Sequence, residues 1–252
     1  MSSLAYLTGR RLKVFVQQPA FLLITLIQPA IWLFLFGNLF RRIVDLPGFG
    51  GGSYVEYLVP GIVVMTAVSS SMWSGMGVLE EIDRGTMNRF LTTPARRGAI
   101  LEAVVVEQTL SVTIQAVIIV LLGLLAGAGY PLTGVLFLVV AAGLLGVVFS
   151  ALSNIAGMLV RQRETIIGLN TLLLLPLTFL SSSFMAPSLM PPWIRRIAHG
   201  NPVNWALEAC RTALAGDIDW PRTGTYGGAL LALAVLLVWL STRTFKAYQK
   251  SV

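Results

Sequence analysis

The sequence predicts an all-α integral membrane protein. Six transmembrane helices are joined by an amino-terminal interfacial helix, a short cytoplasmic helix and an external helical hairpin before the last span. Three observations carry this reading. The 252 residues are 56% hydrophobic and only 12% charged, with a mean hydropathy of +0.79, whereas a soluble domain has about a quarter of its residues charged. Several apolar runs reach the roughly 20 residues a helix needs to cross a hydrocarbon core of about 30 Å. These runs lack the alternation of barrel strands, and lipid leaves a polar backbone no other way to span.

The expected spans are residues 21–40, 57–78, 100–126, 132–160, 166–184 and 225–242. An even count puts both termini on one side. Placing them in the cytoplasm puts Arg10, Arg11, Lys13, Arg84, Arg89, Arg96, Arg97, Arg161, Arg163, Arg243, Lys246 and Lys250 inside. Arg41, Arg42, Arg195, Arg196, Arg211 and Arg222 are then outside. The excess of basic residues in the short inner segments favours this orientation, and only the Arg41-Arg42 pair runs against it. The expected location is a bacterial plasma membrane, multi-pass, with both termini cytoplasmic. The net charge of +7 is spread over the ends of apolar runs, a pattern for phospholipid headgroups and not for nucleic acid. The one cysteine, Cys210, rules out an internal disulfide. His199, the one histidine, has no Cys or His neighbours at ligand spacing, so no metal is expected. The first twenty residues lack a short apolar core with a cleavage site, so the first span is expected to serve as the insertion signal.

Three segments lie outside the spans of this single transmembrane domain, residues 1–252. In residues 1–19, Leu4, Leu7, Val14 and Phe15 share a face against Arg10, Arg11 and Lys13, the pattern of a helix lying at the membrane surface. In residues 79–99, Met87, Phe90 and Leu91 fall at i, i+3 and i+4 and share one face; Pro94 ends the helix. Spacing leaves two destinations open for these knobs, a groove in a soluble partner or the protein's own spans. In residues 185–222, Pro191-Pro192 begins a helix carrying Trp193, and His199-Gly200 ends it. Asn201 caps a second helix that starts at Pro202 and runs through Trp205 and Arg211 to about Ala215. Tryptophans here suit the headgroup level.

Polar residues within the spans are candidates for a gate or pathway: Glu107, Ser69, Ser70, Ser181 and Ser182. At 1.5 Å per residue Glu107 lies roughly 10 Å inside the cytoplasmic boundary. A carboxylate at mid-membrane costs about 2.5–3.5 kcal/mol on insertion scales, so it faces protein or water. It serves as a gate, a substrate contact or a proton site, or it is a neutralised interhelical contact. The serines, with Ser71, Ser183, Gln28, Gln108, Gln115 and Asn154, serve as pathway lining or as helix–helix hydrogen bonds. Gly123-x-x-x-Gly127 and Gly224-x-x-x-Gly228 allow close helix approach. No catalytic constellation is present in the sequence.

Three motifs in order give the chain a resemblance. They are Tyr57-Leu58-Val59-Pro60-Gly61, then Glu81-x-Asp83-Arg84-Gly85-Thr86-x-x-Arg89-Phe90-Leu91-Thr92-Thr93-Pro94, then Asn201-Pro202-Val203-Asn204-Trp205-x-x-Glu208-x-x-Arg211. Together they resemble the type-2 ATP-binding-cassette exporter permeases of the daunorubicin-resistance, nodulation and polysaccharide-export types. The resemblance implies a half-transporter. A second permease copy, identical or homologous, completes the membrane pathway, and two copies of a cytoplasmic ATPase subunit dock below. Arg84, Gly85, Met87, Arg89, Phe90, Leu91 and Pro94 then belong to the coupling helix, and Trp193, Asn201, Pro202, Trp205 and Arg211 to the external hairpin. The sequence has no G-x-x-x-x-G-K-[ST] phosphate loop, so the chain is expected to be no enzyme itself and to bind no cofactor, with ATP and Mg held by the partner. The implied function is export of an amphiphilic drug, lipid or glycan-like cargo. The competing readings are a proton-coupled secondary transporter using Glu107 and a membrane scaffold without transport.

Overall fold

A computed structural model describes residues 19–45, 53–83 and 99–250. Within them the chain is helical and has no strand. We number the α-helices α1 (Pro19–Leu39), α2 (Tyr54–Met72), α3 (Ser74–Asp83), α4 (Ala99–Leu125), α5 (Leu132–Val160), α6 (Arg163–Phe179), α7 (Pro192–His199), α8 (Pro202–Leu214) and α9 (Trp220–Lys250). Most of the expected interfacial helix, and all of Arg84, Gly85, Met87, Arg89, Phe90, Leu91 and Pro94, lie outside the described residues.

Four helical stretches among the described residues are long and apolar enough to cross a membrane: Tyr54–Glu80, Ala103–Leu125, Leu132–Val160 and Trp220–Phe245. Within α1, Leu26–Leu39 is a shorter apolar stretch. The fifth expected span departs from expectation. Helix α6 stops at Phe179, not at 184, and its 17 residues cover about 25 Å at 1.5 Å per residue. The chain turns there because the next residues find partners outside a helix. Ser181 Oγ donates to Thr178 O at 2.6 Å, and the Ser182 amide donates to Asn204 Oδ1 at 3.0 Å.

Helix α5 is the axis of the bundle. Its buried face carries Leu138, Ala141, Ala142, Leu145, Val148 and Phe149, and it packs against α2, α3, α4, α8 and α9. Small residues bring backbones together, since apolar burial gives little drive between helices in lipid. A Cβ on Gly134 would fall 2.6 Å from the Ala213 carbonyl oxygen, and one on Gly123 2.6 Å from a Val59 methyl. The expected glycine pairs are only partly used. Gly127 sits in the turn after α4 at φ 92°, and Gly224 and Gly228 meet nothing within 4 Å.

The two ends of the bundle differ. One end is heavily cross-linked. Ser53 and Glu56 form a reciprocal capping box on α2. Glu56 also accepts from the Gly129 amide at 3.0 Å, and the Tyr130 hydroxyl donates to Glu56 O at 2.8 Å. Rings of α1 and of the turn after it join this end: Trp32 stacks on Phe36 at 4.6 Å, and Phe40 lies 5.9 Å from Tyr54. At the opposite end, among the described residues, the exposed pair Arg163–Asp83 at 3.2 Å ties α6 to α3. Exposed apolar side chains line the outer faces of α1 (Ile27, Ile31, Leu35), α6 (Leu172, Leu175) and α9 (Leu231, Val235).

Candidate transport site

The second span is two helices, and a side chain from α5 makes it so. Between Met72 and Ser74 the helix breaks at Trp73. The Ser153 hydroxyl accepts from the Gly75 amide at 3.0 Å and donates to the Met72 carbonyl. It therefore occupies backbone groups that a continuous helix would pair internally, and insertion of a side chain into the hydrogen-bond ladder is a recognised cause of a kink. Ser150 Oγ donates to Ser74 Oγ at 2.9 Å, and Ser74 Oγ donates to Asn154 Oδ1 at 3.0 Å.

Beside this break lies a cavity of about 550 Å³, within the size range of sites that enclose a drug-sized ligand. Gln28, Pro29 and Trp32 come from α1, Met65, Thr66, Ser69 and Ser70 from α2, and Trp73 from the break. Gly77 comes from α3, and Glu107, Gln108, Ser111 and Gln115 from α4. Gln108 Nε2 donates to Ser70 Oγ at 2.9 Å, which spends one polar pair on joining α4 to α2. Gln115 is 2% exposed, and its Oε1 has no hydrogen-bond partner among the described residues. The wall is thus mixed: two indole rings and a thioether, a carboxylate, and short polar groups. It suits an apolar body with polar edges.

Of the five pathway candidates, Glu107, Ser69 and Ser70 line this cavity, and Ser181 and Ser182 do not. These two belong to the buried turn after α6, where Ser181 Oγ also lies 2.7 Å from Ser183 Oγ. Gln28, Gln108 and Gln115, expected as lining or packing, also line the cavity, whereas the sequence reading missed Trp32, Trp73 and Ser111. The helical period of α4 places Glu107, Ser111 and Gln115 on one face and was the available signal.

The hairpin residues converge on the cross-linked end. Asn201 caps α8 by accepting from the Val203 amide at 3.0 Å, and its Nδ2 donates to Leu177 O at 2.6 Å and to Leu180 O at 3.0 Å. Pro202 is the first residue of α8, where its missing amide hydrogen costs nothing. Trp205 Nε1 donates to His199 O at 2.6 Å, and Trp193 is exposed on α7. The Arg211 guanidinium lies 3.8 Å from the Tyr57 ring centroid and donates to Ser182 O, to which the Tyr57 hydroxyl also donates at 2.7 Å. Glu208, buried, pairs with Arg222 of α9. Arg211, Tyr57, Glu56 and Tyr130 border a second, smaller cavity of about 160 Å³. Burial, reinforced by Glu56, pushes the Tyr130 hydroxyl well above the usual phenol range, so it remains a donor to Glu56 O. Among the described residues no group of three or more His, Cys, Asp or Glu is placed to hold a metal.

Helices long and apolar enough to cross a membrane, packed around a polar-lined cavity, have the architecture of a membrane transport protein. The chain belongs to the ABC-2 type transporter family, whose model matches residues 2–215. It is the membrane-spanning permease subunit of an ABC transporter, and permeases of this kind work with an ATP-binding subunit. It is 28% identical over 245 residues to the daunorubicin resistance ABC transporter permease protein DrrB1 of Streptomyces coeruleorubidus, covering 94% of this chain and 83% of that one. It is 30% identical over 213 residues to the putative transport permease ycf38 of Porphyra purpurea, covering 82% and 72%. The inner membrane transport permease YadH of Escherichia coli K12 is 24% identical over 228 residues, covering 85% and 86%.

Proposed function

We propose that this permease exports an amphiphilic cargo (drug, lipid or glycan-like) that enters the cavity beside Trp73 from the inner leaflet. The observation that carries this is the cavity itself, which combines indole rings with hydrogen-bonding edges. The name of the Streptomyces relative points toward drug efflux. In this reading six spans cross a bacterial plasma membrane with both termini cytoplasmic. Helices α1 and α6 count as spans, and α7–α8 form the external hairpin over the exit. Two copies of the permease, or this chain and a homologue, form the pathway, and their exposed apolar faces meet lipid and each other. Two cytoplasmic ATPase subunits hold ATP and Mg, and this chain performs no hydrolysis.

The permease's part is mechanical and electrostatic. Segment 84–94 follows α3 directly, so force applied there by a closing ATPase pair reaches the cavity wall through α3. Glu107, with the hydroxyls of Ser69 and Thr66, supplies acceptors to cargo donors. The cross-linked hairpin end resists opening until the inner end moves. Family membership favours ATP over a proton-driven cycle at Glu107.

The coupling assignment has a direct test. The permease is co-expressed with its ATPase, and Phe90→Asp or Leu91→Asp is introduced. Each is expected to abolish ATP-dependent transport while the permease still inserts in the membrane, because an aspartate cannot occupy an apolar groove without losing its hydration. Unchanged assembly and transport would refute the assignment.

A further inference from the structure

We propose that Ser153 is a positioning residue for transport. It fastens α3 to α5 as one rigid arm, so that the second span bends at Trp73 when the ATPase acts and Trp73 becomes the moving wall of the cavity. The proposal rests on the ATPase-driven reading above and goes beyond it by saying where the chain bends and what stays rigid.

Two kinds of contact separate the halves of the second span. The outer half, α2, is bonded to the hairpin end, where the Tyr57 hydroxyl reaches Ser182 O and a Cβ on Gly61 would fall 2.2 Å from Ser183 O. The inner half, α3, is bonded to α5. A Cβ on Gly75 would fall 2.2 Å from the Ser153 carbonyl oxygen, and one on Gly157 would fall 2.8 Å from the Gly75 carbonyl oxygen. Backbones this close cannot slide past each other without breaking the Ser153 and Ser74 hydrogen bonds. Between the halves, the Gly75 amide and the Met72 carbonyl are given to Ser153, and the Trp73 and Met76 amides make only turn bonds, to Ser70 O and Trp73 O. Pro60 removes a ladder bond inside α2 without breaking that helix, so the joint at Trp73 is the break along the second span, and it coincides with a residue of the cavity wall. With the outer end held by the hairpin, α5 swings as a rod and carries α3 with it. Bending concentrates at Trp73, where it releases the Ser153–Met72 bond and keeps the Ser153–Gly75 bond, in the manner of a hinge between two packed bodies.

The test measures distances between spin labels in the assembled permease–ATPase complex in nanodiscs, with labelled chains diluted into an excess of unlabelled ones. The native Cys210 is fully buried and its thiol is pushed up to about 12 by that burial, so labels go to introduced cysteines. Vanadate-sensitive ATP hydrolysis is measured first. Its absence would refute the ATPase reading and, with it, this proposal. One label pair, Glu80→Cys with Leu159→Cys, lies within the arm. The other, Glu80→Cys with Met185→Cys, spans the joint; all three positions are exposed. On trapping with ATP and vanadate the first distance is expected to stay fixed and the second to shift by several ångströms. In Ser153→Ala the first pair is expected to broaden or shift while hydrolysis persists. A hydrolysing wild-type complex whose first distance shifts, or whose second stays fixed, would overturn the proposal. So would a Ser153→Ala arm that stays as rigid as the wild type.

Discussion

Gly61→Val is expected to unseat the hairpin end and to cost at least about 3 kcal/mol, the upper part of the range for overpacking. The new Cβ would lie 2.2 Å from Ser183 O and 2.8 Å from Ser183 C. Both are backbone atoms, so no rotamer change relieves the clash. The displaced turn also carries Ser182, which receives Tyr57 and Arg211 and bonds to Asn204. The damage therefore spreads from α2 to α8. Gly228→Ala is the matched control. Its Cβ meets nothing within 4 Å, and replacing a mid-helix glycine is expected to be neutral or to stabilise by up to about 1 kcal/mol. Thermal unfolding of the detergent-solubilised permease, followed by size-exclusion, checks both. Equal losses in the two variants would contradict the close approach at Gly61.

The second large effect is asymmetric. Glu208 is 6% exposed, whereas the side chain of its partner Arg222 is 49% exposed. Removing the arginine leaves a buried carboxylate without its cation, and breaking a buried pair from one side costs about 3–5 kcal/mol. The partial exposure of Arg222 lowers the expected loss for Arg222→Ala to about 2–3 kcal/mol. Glu208→Gln leaves the arginine free to turn into solvent and is expected to cost less than about 1 kcal/mol. The double variant Glu208→Gln/Arg222→Ala is expected to recover most of the single-variant loss. Melting temperatures of the four proteins form the cycle. Arg222→Ala as mild as Glu208→Gln would show that the pair does not hold α8 to α9.

The hairpin was readable in the sequence because its signals are local. Pro192, Gly200, Asn201 and Pro202 act within one turn of chain, and helices α7 and α8 start and stop where these residues place them. The apolar runs that became α4, α5 and α9 were readable from length and composition. What sequence could not reveal depends on contacts between distant segments. An apolar run does not show that α6 ends at Phe179, because the reason is Asn204, 22 positions beyond Ser182. Nor does it show that the second span breaks at Trp73, because the cause is Ser153, 78 positions beyond Gly75. Glycine spacing misled for the same reason. Gly61, Gly75 and Gly134 make close approaches without any paired glycine four residues away in their own helices, whereas Gly224 and Gly228 face open space. In the cavity, Glu107 stood out by its charge in an apolar run. Trp32 and Trp73 carried no local mark that separates lining from packing.

The central claim is that this permease converts work done elsewhere and has no energy source of its own. Proteoliposomes containing the purified permease alone, and others containing it with its ATPase, can be loaded with a fluorescent amphiphilic dye and assayed for accumulation against its gradient. The expected result is ATP-dependent uphill movement in the paired vesicles and none in the vesicles holding the permease alone, at any imposed pH gradient. Uphill movement by the permease alone would contradict the claim.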